Sequence, residues 1–267
     1  MTLQKQKLAR SSPDVRQADD FTFEPYTQKR GEGFSGGLLL ATRKNNPAEQ
    51  YVVKHTQCCN AANEYVFSKL AEAVGANMPK TVLFMDPSHS GVFRFYAVGS
   101  RLIEKQACPS TEQMLAQANN WQDFYSHITL SILAGEADNV DFFLGVDRML
   151  YRIDAAETFR MVEYYMFNLV HWKPGHPKRQ AVEELMANPL DDLWIQLYSG
   201  NWLKLFPDEH ASLLLEPLRR VQDMPDSYVE EFLSILCCFY PEHVGEYYRR
   251  FVHEVKEMAA KVVALYG

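Results

Sequence analysis

The stretch AGEADNVDFFLGVDRMLYRIDAAETF, residues 134–159, sets four acidic side chains, Glu136, Asp138, Asp141 and Asp154, around two short apolar runs at 142–144 and 149–153. Between the runs lies Gly145-Val146-Asp147, a turn signal, and Phe, Leu, Tyr and Ile suit paired strands. The pattern predicts a β-hairpin with carboxylates at both ends. Asp141 and Asp154 each lie just outside the paired segment, so closing the hairpin brings them back together. Two carboxylates converging there offer hard oxygen ligands of the kind that hold magnesium jointly with substrate phosphates. The competing reading is four solvated acids in a loop.

Composition narrows the classes around that hairpin. The chain has 267 residues, 47% of them hydrophobic, enough for one large domain or for two lobes sharing a cleft. A net charge of −7 argues against a general nucleic-acid binder or an anionic-membrane binder, both of which need a basic excess. No apolar run approaches the roughly 18 residues of a membrane span, and the first residues lack the apolar core of a secretory signal. The five cysteines, Cys58, Cys59, Cys108, Cys237 and Cys238, are odd in number and form neither a disulfide framework nor a CxxC zinc pattern. They read as reduced thiols, hence a cytoplasmic place of action.

Taken in order, residues 1–20 are polar and aperiodic and predict a mobile arm. From Phe21, the text FTFEPYTQKRGEGFSGGLLLATRKNNPAEQYVVKH predicts three antiparallel strands. The first connection carries Gly31, Gly33, Ser35, Gly36 and Gly37. A glycine loop of this kind can lie over phosphates with its N–H groups turned inward, although it also serves as a plain turn. Lys54 ends the YVVK run, which delivers its ammonium to one end of the sheet or simply to the surface. NAANEYVFSKLAEAVGA predicts a helix, with Val66, Phe67, Leu70 and Val74 on one face, Asn60 or Asn63 as cap, Gly75 as its stop and Glu64 in its first turn. PKTVLFMD and GVFRFYAVGSRLIE predict two more strands, giving a five-stranded sheet with one helix. Helices are predicted near 110–118 and 122–134, then near 161–170, 177–186, 191–197, 200–205, 209–220, 226–239 and 242–266, divided by prolines. On the last, Val244, Tyr247, Tyr248, Phe251, Val255 and Met258 mark one buried face.

A glycine loop, a strand-end lysine and a glutamate on the next helix are the parts of a kinase small lobe. With the acidic hairpin they resemble the atypical kinases, the group that holds the HipA toxin family, the phosphoinositide 3- and 4-kinases and effector kinases delivered by pathogenic bacteria. The resemblance implies an α+β, bilobal kinase-like fold: a small antiparallel-sheet lobe with one helix at 21–104, and a larger, mostly helical lobe at 105–267 carrying the hairpin at 134–159. It implies phosphate transfer from ATP with Mg2+ to a protein or an inositol lipid or phosphate, in the cytoplasm of the producing cell or of a host. Gly31, Gly33, Ser35, Gly36 and Gly37 would cover the phosphates. Lys54 would hold them with Glu64 as partner, and the backbone near Ile103 would meet the adenine. Ile153-Asp154 looks like the I-D that opens the family's metal segment, so Asp154 and Asp141 would bind magnesium. Counting back in the same register makes Glu136 the catalytic acid, whereas a shortened loop makes it Asp138. There is no HRD, no DFG and no GxxxxGK[ST] motif. Those departures leave phosphotransferase, kinase-fold nucleotidyltransferase and silent pseudokinase binding module all open.

Overall fold

The structure, a computed structural model, describes residues 3–26, 38–56, 59–86, 96–108, 110–136, 140–161, 173–177, 180 and 197–267. Its elements run α1 (Leu3–Ser11), β1 (Val15–Gln17), β2 (Phe21–Pro25), β3 (Leu39–Arg43), β4 (Asn46–Thr56), α2 (Asn60–Val74), β5 (Thr81–Met85), β6 (Tyr96–Arg101), α3 (Thr111–Gln117), α4 (Asp123–Leu133), β7 (Asp141–Leu144) and β8 (Leu150–Ile153). Three helices complete the order: α5 (Ala211–Asp223), α6 (Asp226–Leu236) and α7 (Glu242–Tyr266). The fold is α+β, with a β-rich small lobe and a mostly helical large one.

The sheet of the small lobe has the order β1-β5-β6-β4-β3-β2, with β1 parallel to β5 and the other neighbours antiparallel. Strand β5 shows how its two faces separate. Val82 and Phe84 join an aromatic cluster with Phe21, Tyr51 and Val53, while Leu83 and Met85 turn toward α2. This two-residue period buries all five residues of the strand. It also assigns Lys54 to the α2 side, because Tyr51 and Val53 face the aromatics.

Two expectations need correction. Residues 3–20 are not a mobile arm. Ala9, Val15 and Ala18 are buried, and the polar residues around them find partners far along the chain. Lys5 Nζ donates to Cys237 O at 2.7 Å, Asp14 pairs with Lys69 at 2.7 Å, and Arg16 Nε reaches Glu49 at 2.8 Å. A polar composition misleads when its charges are all spent on tertiary partners. The sheet accordingly has six strands, not five, since β1 adds to the edge at β5.

The large lobe follows the proline punctuation. Pro225 and Pro241 immediately precede α6 and α7, and α7 buries Val244, Tyr248, Phe251, Val255 and Met258 along one face. The segment expected at 200–205 is a 3-10 turn, Asn201–Leu205, and the helices expected at 161–170, 177–186 and 191–197 lie almost wholly outside the described residues. One hydrophobic core runs from Ala9 and Val15 through α2 to α5, α6 and α7, so the small-lobe helix is shared by both lobes. No helix among the described residues is long and apolar enough to cross a membrane.

Glu49 joins β1 to the sheet through Arg16, Arg43 and Tyr51. Burial pushes its carboxyl up, but hydrogen bonds from those three residues outweigh it and bring it down to about 2. A carboxyl lowered by folding stabilises above its unfolded value and loses that contribution as pH falls toward the folded one. In urea unfolding, the stability gap between the wild type and Glu49→Gln should narrow by about half between pH 6 and pH 3. A gap independent of pH would refute this assignment.

Candidate active site

Three separate segments converge on one ammonium. Lys54 reaches from β4 and its Nζ lies 2.6 Å from Glu64 Oε1 on α2 and 2.8 Å from Asp154 Oδ1 just after β8. The Lys54 side chain is 19% exposed and that of Glu64 only 6%, whereas the Asp154 side chain remains 47% exposed. The lysine and glutamate are thus anchored inside, and the aspartate faces the opening. Burial alone would push Lys54 toward losing its proton, but Glu64 and Asp154 outweigh it and hold the ammonium above the ordinary lysine range. Burial pushes Glu64 up, Lys54 opposes that and Asp154 adds to it.

Each partner is delivered by a local reason. Helix α2 buries twelve of its fifteen residues, Val66, Phe67, Leu70 and Val74 among them, so it cannot rotate without breaking its packing on both lobes. It ends at Gly75 as expected, in the left-handed conformation at φ 71°, where the Gly75 N–H reaches the Ala71 and Glu72 carbonyls. Neither Asn60 nor Asn63 caps its start. Asn60 is the first helical residue and donates to Glu157 Oε1 at 3.3 Å, and Asn63 lies within the helix with its side chain turned inward.

The hairpin forms, but Asp141 lies within its pairing and not just outside it, while Asp154 does follow the last paired residue. β7 and β8 pair antiparallel, Asp141 opposite Ile153 and Leu144 opposite Leu150. Its turn is closed by Asp147, whose carboxylate accepts from the Met149 N–H at 3.1 Å and from the Tyr151 hydroxyl at 2.6 Å. Gly145 is required there, since an added Cβ would lie 2.3 Å from Asp147 Oδ1. Beyond β8, Asp154 adopts φ 60°, a left-handed backbone that few residues other than glycine accept and that asparagine and aspartate tolerate best. This kink aims the carboxylate at Lys54 instead of along the strand. Strain of this kind gathers at sites where geometry matters more than stability.

Of the other residues singled out from sequence, Asp141 opens β7 with an exposed side chain and attracts Lys105, whose ammonium lies 4.7 Å from the Phe143 ring centroid. No group of three or more potential metal-ligating side chains gathers among the described residues. Ile103 lies in the connection between the lobes. Its neighbours are occupied, the Leu102 N–H by Gln50 O and the Glu104 carbonyl by the Val146 N–H, but Ile103 makes no backbone hydrogen bond among the described residues. Asp138, Gly31, Gly33, Ser35, Gly36 and Gly37 lie outside the described residues.

Glu136 is engaged elsewhere. Its carboxylate pairs with Arg152, whose guanidinium is fully buried, donates to Ser131 Oγ at 2.6 Å and lies 3.9 Å from the Phe67 ring centroid. The pair thus links β8, α4, α2 and the chain just ahead of the hairpin. Burial lowers Arg152 and Glu136 offsets it, leaving the guanidinium charged as arginine always is in proteins. Sequence reasoning missed Arg152, and it offered Asn63 only as a helix cap. For Arg152 a signal existed: a charge inside the apolar run Leu150-Tyr151-Arg152-Ile153 requires a buried partner.

No family model matches the sequence, and no curated protein matches it. Among solved structures, the chain is similar to a proinflammatory kinase of Helicobacter pylori, CtkA, with a TM-score of 0.51 at 13% identity, over 91% of this chain and 96% of that one. The fold is kinase-like.

The Arg152–Glu136 pair gives a stability prediction. Arg152→Met leaves a buried carboxylate without its cation and should cost about 3–5 kcal/mol in urea unfolding. Adding Glu136→Leu removes that orphan charge, and the double variant should recover much of the loss. A double variant no more stable than Arg152→Met would show that the guanidinium acts through Phe67 and Ser131 instead.

Proposed function

We propose that the chain is an ATP- and magnesium-dependent phosphotransferase of atypical kinase type. The observation that carries this reading is the single Lys54 ammonium held by Glu64 from a helix and by Asp154 from the end of a hairpin. Lys69 is also held by two carboxylates, Asp14 and Glu72, but the partners of Lys54 come one from the small-lobe helix and one from the kinked residue that ends the hairpin. Here one carboxylate is buried and fixed, while the other is half open to solvent and can turn from the lysine to a ligand.

In this reading Glu64 keeps Lys54 charged and pointed into the cleft, where it binds the phosphates of ATP. Ile103, whose backbone groups have no hydrogen bond among the described residues, would offer them to the adenine. The glycine loop, Gly31 to Gly37 with Ser35, covers the phosphates through its backbone N–H groups. Asp154 and Asp141 are the carboxylates that would hold magnesium, an ion that characteristically takes one or two carboxylates and completes its shell with water and substrate phosphates, not with an all-protein cage. The bound ion would supply charge neutralisation at the phosphates. Asp138 is the group assigned to receive the proton of the acceptor hydroxyl. Glu136, already committed to Arg152, serves better as the buried anchor of that loop. The acceptor is a protein hydroxyl or an inositol phosphate, and the net charge of −7 favours a soluble one over an anionic membrane surface.

Magnesium with ATP should raise the melting temperature of the wild type, because a ligand bound only by the native state must stabilise it. Lys54→Met should lower turnover by about 10²–10³-fold, the scale of losing one preorganised charge at a site of developing negative charge. Its circular dichroism should stay native. Label from γ-phosphate ATP arriving on the acceptor supports the assignment. Label from the α position alone would establish nucleotidyl transfer, and turnover at background with every acceptor would establish a silent binding module.

A further inference from the structure

Asn63 is one residue before Glu64 and wholly buried. Its amide joins two distant parts of the chain: Nδ2 donates to the Ala156 carbonyl at 2.7 Å, and Oδ1 accepts from the Tyr248 hydroxyl on α7 at 2.5 Å. The direction of both bonds is dictated by chemistry. A backbone carbonyl only accepts, so the amide must present its NH2 end to Ala156, which leaves its oxygen for a tyrosine that must donate.

Ala156 is two residues beyond Asp154. Asn63 therefore ties the backbone beside one of the carboxylates on Lys54 to the backbone beside the other. The Asp154-Ala155-Ala156 segment needs such a tie, because it leaves the strand through a left-handed residue and its two alanines carry no polar side chain to hold it. Other links from α2 attach elsewhere, Asn60 to Glu157 and Phe67 to Arg152 and Phe159, while the Ala155 carbonyl accepts from the Thr158 hydroxyl at 2.8 Å, a bond within the segment that does not reach α2. We infer that Asn63 is a positioning residue that sets the separation of Glu64 and Asp154 across Lys54, and that Tyr248, 185 positions downstream, holds its amide in the working orientation. The geometric part of this inference stands alone; its consequence for turnover rests on the phosphotransferase reading.

The test compares Tyr248→Phe, which removes one hydroxyl and keeps the ring packed against Phe159, with Asn63→Leu, which removes both amide bonds at similar volume. Val262→Ala, buried on α7 away from both, controls for general loosening of the helix. Modification of Lys54 by an amine-acylating ester at one fixed pH, followed by mass spectrometry, reads how closely the two carboxylates enclose the amine without any need for activity. Where the tie is lost the enclosure opens more often, so both variants should label at least about fivefold faster than wild type. The control should label at the wild-type rate at a matched loss of melting temperature. Turnover in the two variants should need more magnesium for half-saturation, with little change in the KM for the acceptor. If Asn63→Leu does not fold, Tyr248→Phe carries the test. Wild-type labelling in Tyr248→Phe, or equally fast labelling in Val262→Ala, overturns the inference. A labelling change in a protein that turns over no ATP keeps the positioning role and removes the phosphotransferase reading. Normal turnover with unchanged labelling does the reverse.

Discussion

A lysine ammonium taken out of water must be matched by negative charge, and in this protein that requirement is met by two carboxylates from different lobes. Most of the architecture near the cleft serves the meeting. The sheet alternation puts Lys54 on the α2 side, the helix stands where Glu64 reaches it, and the hairpin ends in a kinked residue whose carboxylate turns back. Glu64 is fixed by burial, whereas Asp154 keeps nearly half its surface exposed. The asymmetry leaves one partner enclosed and the other open to solvent.

A second ion pair lies one layer deeper. Arg152 and Glu136 sit beneath the hairpin, with Phe67 of α2 against the guanidinium. Such a buried pair is a poor source of net stability, because the cost of removing two charges from water consumes most of the attraction. What it fixes is the position of Glu136, since the guanidinium is held on Ser131 and against the Phe67 ring as well as on that carboxylate. Neighbouring His127 is held neutral, its pKa pushed down to about 3 by burial and by Arg152, while its Nε2 bonds the Asn77 carbonyl at 3.0 Å. The region under the hairpin therefore carries one cation and not two.

Legibility from sequence followed the range of the forces involved. The hairpin at 141–153, the α2 face with its glycine stop, and the strands from Phe21 onward were readable because turn residues and periodicity act over a few positions. Lys54 and Glu64 were readable as a pair through their order and spacing. The N-terminal segment was misread because its three buried apolar residues are small or isolated and its charges are satisfied by residues as distant as Cys237. Sequence alone offers Asn60 or Asn63 as the cap, since a polar residue at the start of a helix is usually that, and the partners of Asn63 lie 93 and 185 positions away. Local rules cannot see a hydrogen bond of that span.

The same long reach shapes how the chain must come together. Helix α1 docks through Lys5 on the carbonyl of Cys237, and the Cys238 thiol meets the Ala9 backbone, so these contacts of the first helix form only once residues 237 and 238 have been synthesised. The small lobe cannot mature as an autonomous unit behind the ribosome, because α2 and β1 share their core with α5, α6 and α7. Contacts of such sequence separation slow folding and leave apolar surface uncovered in the interim. During synthesis the six strands, all within residues 15–101, can pair before the helices that cover α2 emerge, so the face left bare in that interval is the one α2 later buries against α5, α6 and α7.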